Sequence, residues 1–321
     1  MDEYEQRLDL AERIQTLLRD TANNPTGKFS AVQFAAILVA PVARLREFAQ
    51  YEFDRNYSKI LVLRLMLHQV SPLVHHFLRK PAKAIDSAGP QGIIRRNQVE
   101  VKQCRLRDGG LCIVTGTGCP SVCHIVPFTW NHTVNSAHAT REVLAMSPLP
   151  IFYEQSDWTG LIHTKLYAGP GSSDKSWNML SLSYLLHKWW SKGYFGLKYL
   201  GTTPSSSSPQ DMHTIELQFR WLPRSQEHPM RPIELQEQRD TTKGIMIYQL
   251  DTDSPKAGAN FGNSNRPICS DHTFQVHINQ KDSPFFVATI KLRWAILQVA
   301  AMSGGAQAPE LLQGHDPDPD P

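Results

Sequence analysis

Cysteine is too scarce here for a disulfide scaffold. Five residues in 321, an odd number, cannot form a fully paired framework, so reduced thiols in an intracellular protein are the expectation. Long apolar runs are lacking too. The longest, Phe34 to Ala43, has 10 residues and is interrupted by Pro41, whereas a membrane-spanning helix needs about 20. The opening Met1-Asp2-Glu3-Tyr4-Glu5 is acidic and has no apolar stretch of the kind a secretion signal carries. These lacks predict a nuclear or cytoplasmic location without a membrane, and they make the sequon at Asn131 a chance match. No internal repeat occurs. Gly116-Thr117-Gly118 has Ser121 where a third glycine would complete a dinucleotide fingerprint, and no βαβ pattern follows.

Whole-chain charge is nearly balanced at +3, but its distribution is uneven. Between Arg44 and Arg107, 13 Lys and Arg stand against 5 Asp and Glu. Such a segment attracts polyphosphate through counterion release, or is simply a solvated helix face. The chain ends in the opposite sense with Asp-Pro-Asp-Pro-Asp-Pro.

The pattern predicts an α+β protein in three parts and a tail. Residues 1–93 read as helical, with Ser30 and Asp54 as caps, apolar stripes at helical spacing, and a linker from Pro81 to Gly92. Residues 94–203 open with a basic helix. Leu111 to Val114 and Cys123 to Val126 then read as a hairpin, and a helix begins at Asn178 and stops at Gly193. Residues 204–305 carry a strictly alternating strand at His213–Trp221 and further strands at Gly244–Leu250 and Thr273–Ile278. A closing helix from Ser283-Pro284 stops at Gly304-Gly305. Residues 306–321 read as a disordered acidic tail.

The middle part holds the chemistry. Cleaving a phosphodiester by attack of water needs a base near neutrality and positive charge on the developing oxygens. Histidine suits the base role. A hairpin delivering His124 and a helix delivering His187 could bring both to one phosphate, while Asn178 hydrogen-bonds the loop backbone and fixes the first histidine. Arg105, Arg107, Lys188 and Lys192 flank these positions as phosphate contacts.

Three segments carry a resemblance: Arg107-Asp108-Gly109-Gly110-Leu111-Cys112-Ile113-Val114-Thr115-Gly116, then Cys123-His124-Ile125-Val126-Pro127-Phe128, then Asn178 to His187 with Gly193 behind it. Over roughly 105–200 the chain resembles the HNH (ββα-metal, His-Me finger) endonucleases, most of all the HNH domain carried by many fungal proteins. The resemblance implies a ββα-metal core, a divalent cofactor (Mg²⁺ or Mn²⁺, with Zn²⁺ as an alternative) and nucleic acid, DNA first, as partner. It implies that His124 is the general base, Asn178 the brace of the ββα loop, and His187 a metal ligand. Cys123 and Ser191 stand where the family often offers Asp or His as further ligands, and thiol is a poor ligand for Mg²⁺. A retained fold with lost catalysis, binding nucleic acid or protein, is the second reading.

Cys104, Cys112, Cys119 and Cys123 could instead form a structural zinc module, though only the last two approach a tight pair. Trp189 and Trp190 suit base stacking or, more simply, core packing. His68, His75 and His76 in the helical part, and His132, His138 and His163 between the motif halves, are read as ordinary core or surface residues.

Overall fold

A computed structural model describes residues 3–20, 27–51, 57–79, 94–145, 148–153, 160, 166, 168–205, 211–235 and 260–313. Asp54, the linker at Pro81–Gly92, His163, the strand expected at Gly244–Leu250 and the chain beyond residue 313 lie outside these residues.

The described chain is mixed helix and sheet, as the pattern predicts. Helices α1 (Glu3–Asp20), α2 (Ala31–Val39), α3 (Val42–Gln50) and α4 (Tyr57–Leu78) form the first part. Ser30 caps α2 in a capping box: its hydroxyl accepts from the Gln33 amide, and the Gln33 side chain accepts from the Ser30 amide. Helix α5 (Gln98–Arg107) is capped by Asn97, whose side chain accepts from Val99. Strand β1 (Phe29–Ser30) pairs with β6 (Pro232–Ile233). Helices α6 (Val134–Ala145) and α7 (Leu149–Phe152) follow a short 3-10 turn at Phe128–Trp130.

The hairpin differs from the expected one. Strand β2 (Ser121–His124) pairs antiparallel with β3 (Met179–Leu182), in a register that puts His124 opposite Met179. Leu111–Val114 is not its partner. That segment makes one bridge, Leu111 to Gly118, and turns back through Gly116 at a φ of 67°, where a strand cannot continue. The helix also starts later than expected. Ser176–Asn178 is a 3-10 turn, Met179–Leu182 is strand, and α8 runs Tyr184–Trp190 behind a Ser183 cap. All four residues of β3 are buried. A run buried on both faces has no alternation, so its sequence cannot be told from a buried helix.

Strands β4 (Phe195–Pro204), β5 (Met212–Trp221) and β7 (Thr273–Asn279) form an antiparallel sheet in the order β4-β5-β7. That sheet crosses the boundary drawn at residue 203. The closing helix α9 (Ser283–Ser303) packs on α2 and β4. By length and composition it could cross a membrane, but 78% of its apolar window is buried inside the protein. It ends at Gly304, at a φ of 82°, where an added Cβ would lie 1.9 Å from the Glu227 carbonyl oxygen. Part of the expected tail is ordered. Pro309–Gln313 is a 3-10 turn anchored by buried Leu312, whose carbonyl accepts from Ser71.

Candidate active site

β2 and α8 place His124 and His187 in one cleft of about 580 Å³. Asn178 is not in its lining. It is wholly buried behind the strand end, where Oδ1 accepts from the Val126 amide (2.9 Å) and Nδ2 donates to the carbonyls of Val126 (3.0 Å) and Ser173 (2.9 Å). Its own carbonyl accepts from the Ile125 amide at 2.8 Å. Asn178 thus pins the backbone just after His124 to the turn at 171–175.

That turn carries a residue that sequence reasoning missed. Asp174 is buried, and its Oδ1 accepts from His124 Nε2 at 2.8 Å. Its other oxygen accepts from the Asn97 amide. A carboxylate can only accept, so Nε2 carries the proton and the Nδ1 lone pair stays available. The His124 ring stacks on Phe128 at 5.2 Å, which fixes its plane. Burial pushes the His124 pKa down, with Arg96 adding to this, while the bond to Asp174 pulls the other way; the net shift is downward. For Asp174, burial pushes up, but the bonds from His124 and Asn97 outweigh it and hold the carboxyl below its ordinary value. The arrangement is a neutral imidazole of fixed tautomer, able to take a proton at Nδ1.

His187 sits on α8, one turn beyond the Ser183 cap. Burial lowers its pKa, and Arg293, Arg96 and His124 lower it further. Among the described residues the cleft is lined by five cations, Arg79, Arg96, Lys188, Lys192 and Arg293, and by no carboxylate. Lys188 and Lys192, two of the residues expected to contact phosphate, are in that lining. Arg105 and Arg107 are not in the lining. Arg107 is engaged inside the protein: it pairs with Asp108 at 2.7 Å and donates to the carbonyls of Ser176 (2.9 Å) and Met179 (2.7 Å). Asp108 in turn accepts from the Ser181 amide at 2.8 Å. The Arg-Asp pair holds β3 to α5. Arg79, Arg96 and Arg293 had no motif to mark them.

The three expected metal ligands, Cys123, His187 and Ser191, all line the cleft, but Cys123 and Ser191 are engaged with backbone. Cys123 is buried, donates from Sγ to the Leu180 carbonyl, and has its thiol pKa raised by burial. The Ser191 hydroxyl lines the cleft but donates to the Lys188 carbonyl at 2.9 Å. Among the described residues no three of His, Cys, Asp or Glu gather to hold a metal ion. His187 shares the cleft with five cations and no carboxylate, a donor set that does not fit a divalent cation. Of the four cysteines of the zinc reading, Cys104, Cys112 and Cys123 are buried and Cys119 is exposed, all as free thiols.

The tryptophans pack. Trp190 is buried beneath Arg293, and Trp189 lies edge-on to Trp221. His76 is a core residue bonded to Thr140 at 2.7 Å. Asn131 is buried and bonded to Leu166 and Ser172, so the sequon is not displayed.

Residues 112–198 match the family model described as HNH endonuclease. That match spans the β2–β3 pair, α8 and the start of β4, and it includes His124, Asp174, Asn178 and His187. No curated protein and no solved structure matches the chain.

Proposed function

We propose, starting from a central segment of the HNH endonuclease family, that this protein hydrolyses phosphodiester bonds of DNA with His124 as general base. The observation that carries the reading is the His124–Asp174 pair, opening with His187 into a cleft of cations. His124 Nδ1 would take the proton of the attacking water. Asp174 holds the tautomer and orients the ring. Asn178 fixes the loop that carries it, and Lys188, Lys192 and Arg96 bind the phosphates on either side. The family usually employs a divalent metal at the position of His187. The side chains gathered here do not form such a site, so no step is assigned to one.

The ligand set also favours a second reading, a nucleic-acid-binding module that has kept the cleft and lost hydrolysis. Supercoiled plasmid incubated with wild type and His124→Ala, each with Mg²⁺, Mn²⁺ or EDTA, separates the two. Nicking by wild type that falls by at least ~100-fold in the variant, the scale of a lost general base, supports the first. Equal nicking removes His124 from the chemistry. Plasmid binding without nicking under any condition leaves the binding module. The EDTA arm reads whether a divalent ion assists.

A further inference from the structure

We infer that the C-terminal extension completes the site: Arg293, on α9, is a positioning residue that clamps the strand carrying His124 to the end of the helix carrying His187. Its Nη1 donates to the carbonyl of Ile125 at 2.6 Å and more weakly to that of His124 at 3.4 Å. Its Nη2 donates to the carbonyl of Trp190 at 3.0 Å. The first pair lies at the end of β2 and the third acceptor at the C-terminus of α8, where the Trp190 carbonyl also accepts from the Gly193 amide at 3.2 Å and positive charge is favoured. The guanidinium lies 3.7 Å over the Trp190 ring, which holds its plane. Only a planar fork reaches both backbones at once, a geometry that an ammonium cannot reproduce.

The helix is itself keyed against the site. A Cβ on Gly196 would lie 2.5 Å from the Trp294 ring, and one on Gly193 would lie 3.3 Å from Ala306 and 3.8 Å from Leu297. The α8–β4 turn is thus shaped to the face of α9 beside Arg293. Burial of this arginine is expensive: its Nε has no hydrogen-bond partner among the described residues, and desolvation lowers its pKa to about 9. A cation kept in such surroundings, with its two terminal nitrogens on two different backbones, acts on their relative position. Arg293 lies outside the segment matched by the family, residues 112–198, so the clamp assigns a role to a part of the chain that the family does not cover.

The clamp's effect on chemistry rests on the reading of His124 as base, so the test has two readouts. Plasmid nicking and duplex binding are measured for wild type, Arg293→Lys and Arg293→Gln, with circular dichroism to verify folding. Amide hydrogen exchange is followed in the same samples. Misplacement of a base costs rate without affinity, so kcat should fall by at least ~10-fold while duplex Kd stays within ~3-fold. Exchange at 124–126 and at 190–193 should quicken together, ahead of the β4-β5-β7 sheet. Unchanged nicking in a folded variant overturns the proposal. So does a parallel fall of kcat and affinity, which would make Arg293 a phosphate contact. If wild type nicks nothing, the endonuclease reading fails and exchange alone decides: no change at either segment rejects the clamp. Should neither arginine variant fold, Gly196→Ala, which presses on the Trp294 ring and displaces α9 without removing a donor, reads the same coupling.

Discussion

Replacing Asp174 with Asn changes one oxygen to an amide nitrogen, and the structure dictates which one. Asp174 serves two donors, His124 Nε2 and the Asn97 amide. The backbone amide can only donate, so the carbonyl of the substituted side chain must turn to it, leaving NH₂ facing His124. Two donors cannot share that contact. The imidazole must move its proton to Nδ1, which presents Nε2 as acceptor and removes the Nδ1 lone pair. The loss should be that of the general base itself, on the order of 100-fold or more in kcat, or about 2.7 kcal/mol of transition-state stabilisation. Protonation does not explain such a loss. His124 already lies below its ordinary value of 6.5, and its bond to Asp174 is a raising influence; removing the carboxylate keeps the ring neutral at pH 7. The deficit should stay flat from pH 7 to 8.5, and the acidic limb of activity should move to lower pH. Nitrogen-15 spectra of the imidazole read the tautomer without any turnover. Nicking by Asp174→Asn within ~3-fold of wild type, or an unchanged Nε2–H tautomer, would remove Asp174 as the group that fixes the His124 tautomer.

Lys188→Ala and Lys192→Ala should each weaken duplex binding and reduce the slope of log K against log salt by about 1, measured by anisotropy between 50 and 200 mM salt; unchanged slopes would place the phosphates elsewhere. Ser191→Asp should create divalent-ion binding in calorimetry, because it puts a carboxylate at i+4 from His187 on the cleft wall, whereas Cys123→Asp should lower the melting temperature, because position 123 is 2% exposed and carboxylate burial is costly; no metal binding by Ser191→Asp would mean that positions 187 and 191 do not act together on a cation. Burial, with Arg79 and His75 adding to it, lowers His76 from 6.5 to about 4. The protein should therefore keep this residue's contribution above pH 6.5 and lose roughly 3 kcal/mol of stability as pH falls from 6.5 toward 4. Denaturant melts across that window should show a shallower loss for His76→Gln.

The sequence pointed to His124, Asn178 and His187 through the resemblance, and the structure brings His124 and His187 to one cleft with Asn178 buried behind the strand end. The sequence also pointed to Arg107 as a phosphate contact, whereas the fold engages it internally, and the reason is physical. An arginine buried against backbone carbonyls and one held out for phosphate have the same letter, and Arg107 is set apart only by Asp108, which the fold turns onto it. Asp174 lies in the turn Ser172–Lys175, whose spacing to His124 carries no periodic signal. The strand at Met179–Leu182 and the start of β4, Phe195-Gly196-Leu197, are buried on successive residues, so neither shows the alternation that exposed His213–Trp221 to view. Arg293 sits in an apolar helix that also carries Lys291, and nothing in the sequence tells the buried cation from the other.

The cleft contains a conflict that predicts its own pH behaviour. Cations that attract a phosphodiester also disfavour a protonated imidazole, and Arg96 acts on both His124 and His187 in this sense. A base weakened in this way is reliably deprotonated but takes a proton reluctantly, and Asp174 is the counterweight. A bound phosphodiester changes the balance, since its negative charge offsets the nearby arginines and lysines and raises the His124 pKa toward neutrality. The base should then be strongest when substrate is present. The acidic limb of kcat, which reports the enzyme–substrate complex, should lie at higher pH than the limb of kcat/KM, which reports the free enzyme. Both limbs come from nicking rates at saturating and at low plasmid between pH 4.5 and 8. In Arg96→Gln the free-enzyme limb should move up toward the substrate-bound one, since the cation that disfavours protonated His124 is gone. Coincident limbs in wild type would mean that the cations in the cleft do not act on His124, and that the phosphate binds away from it.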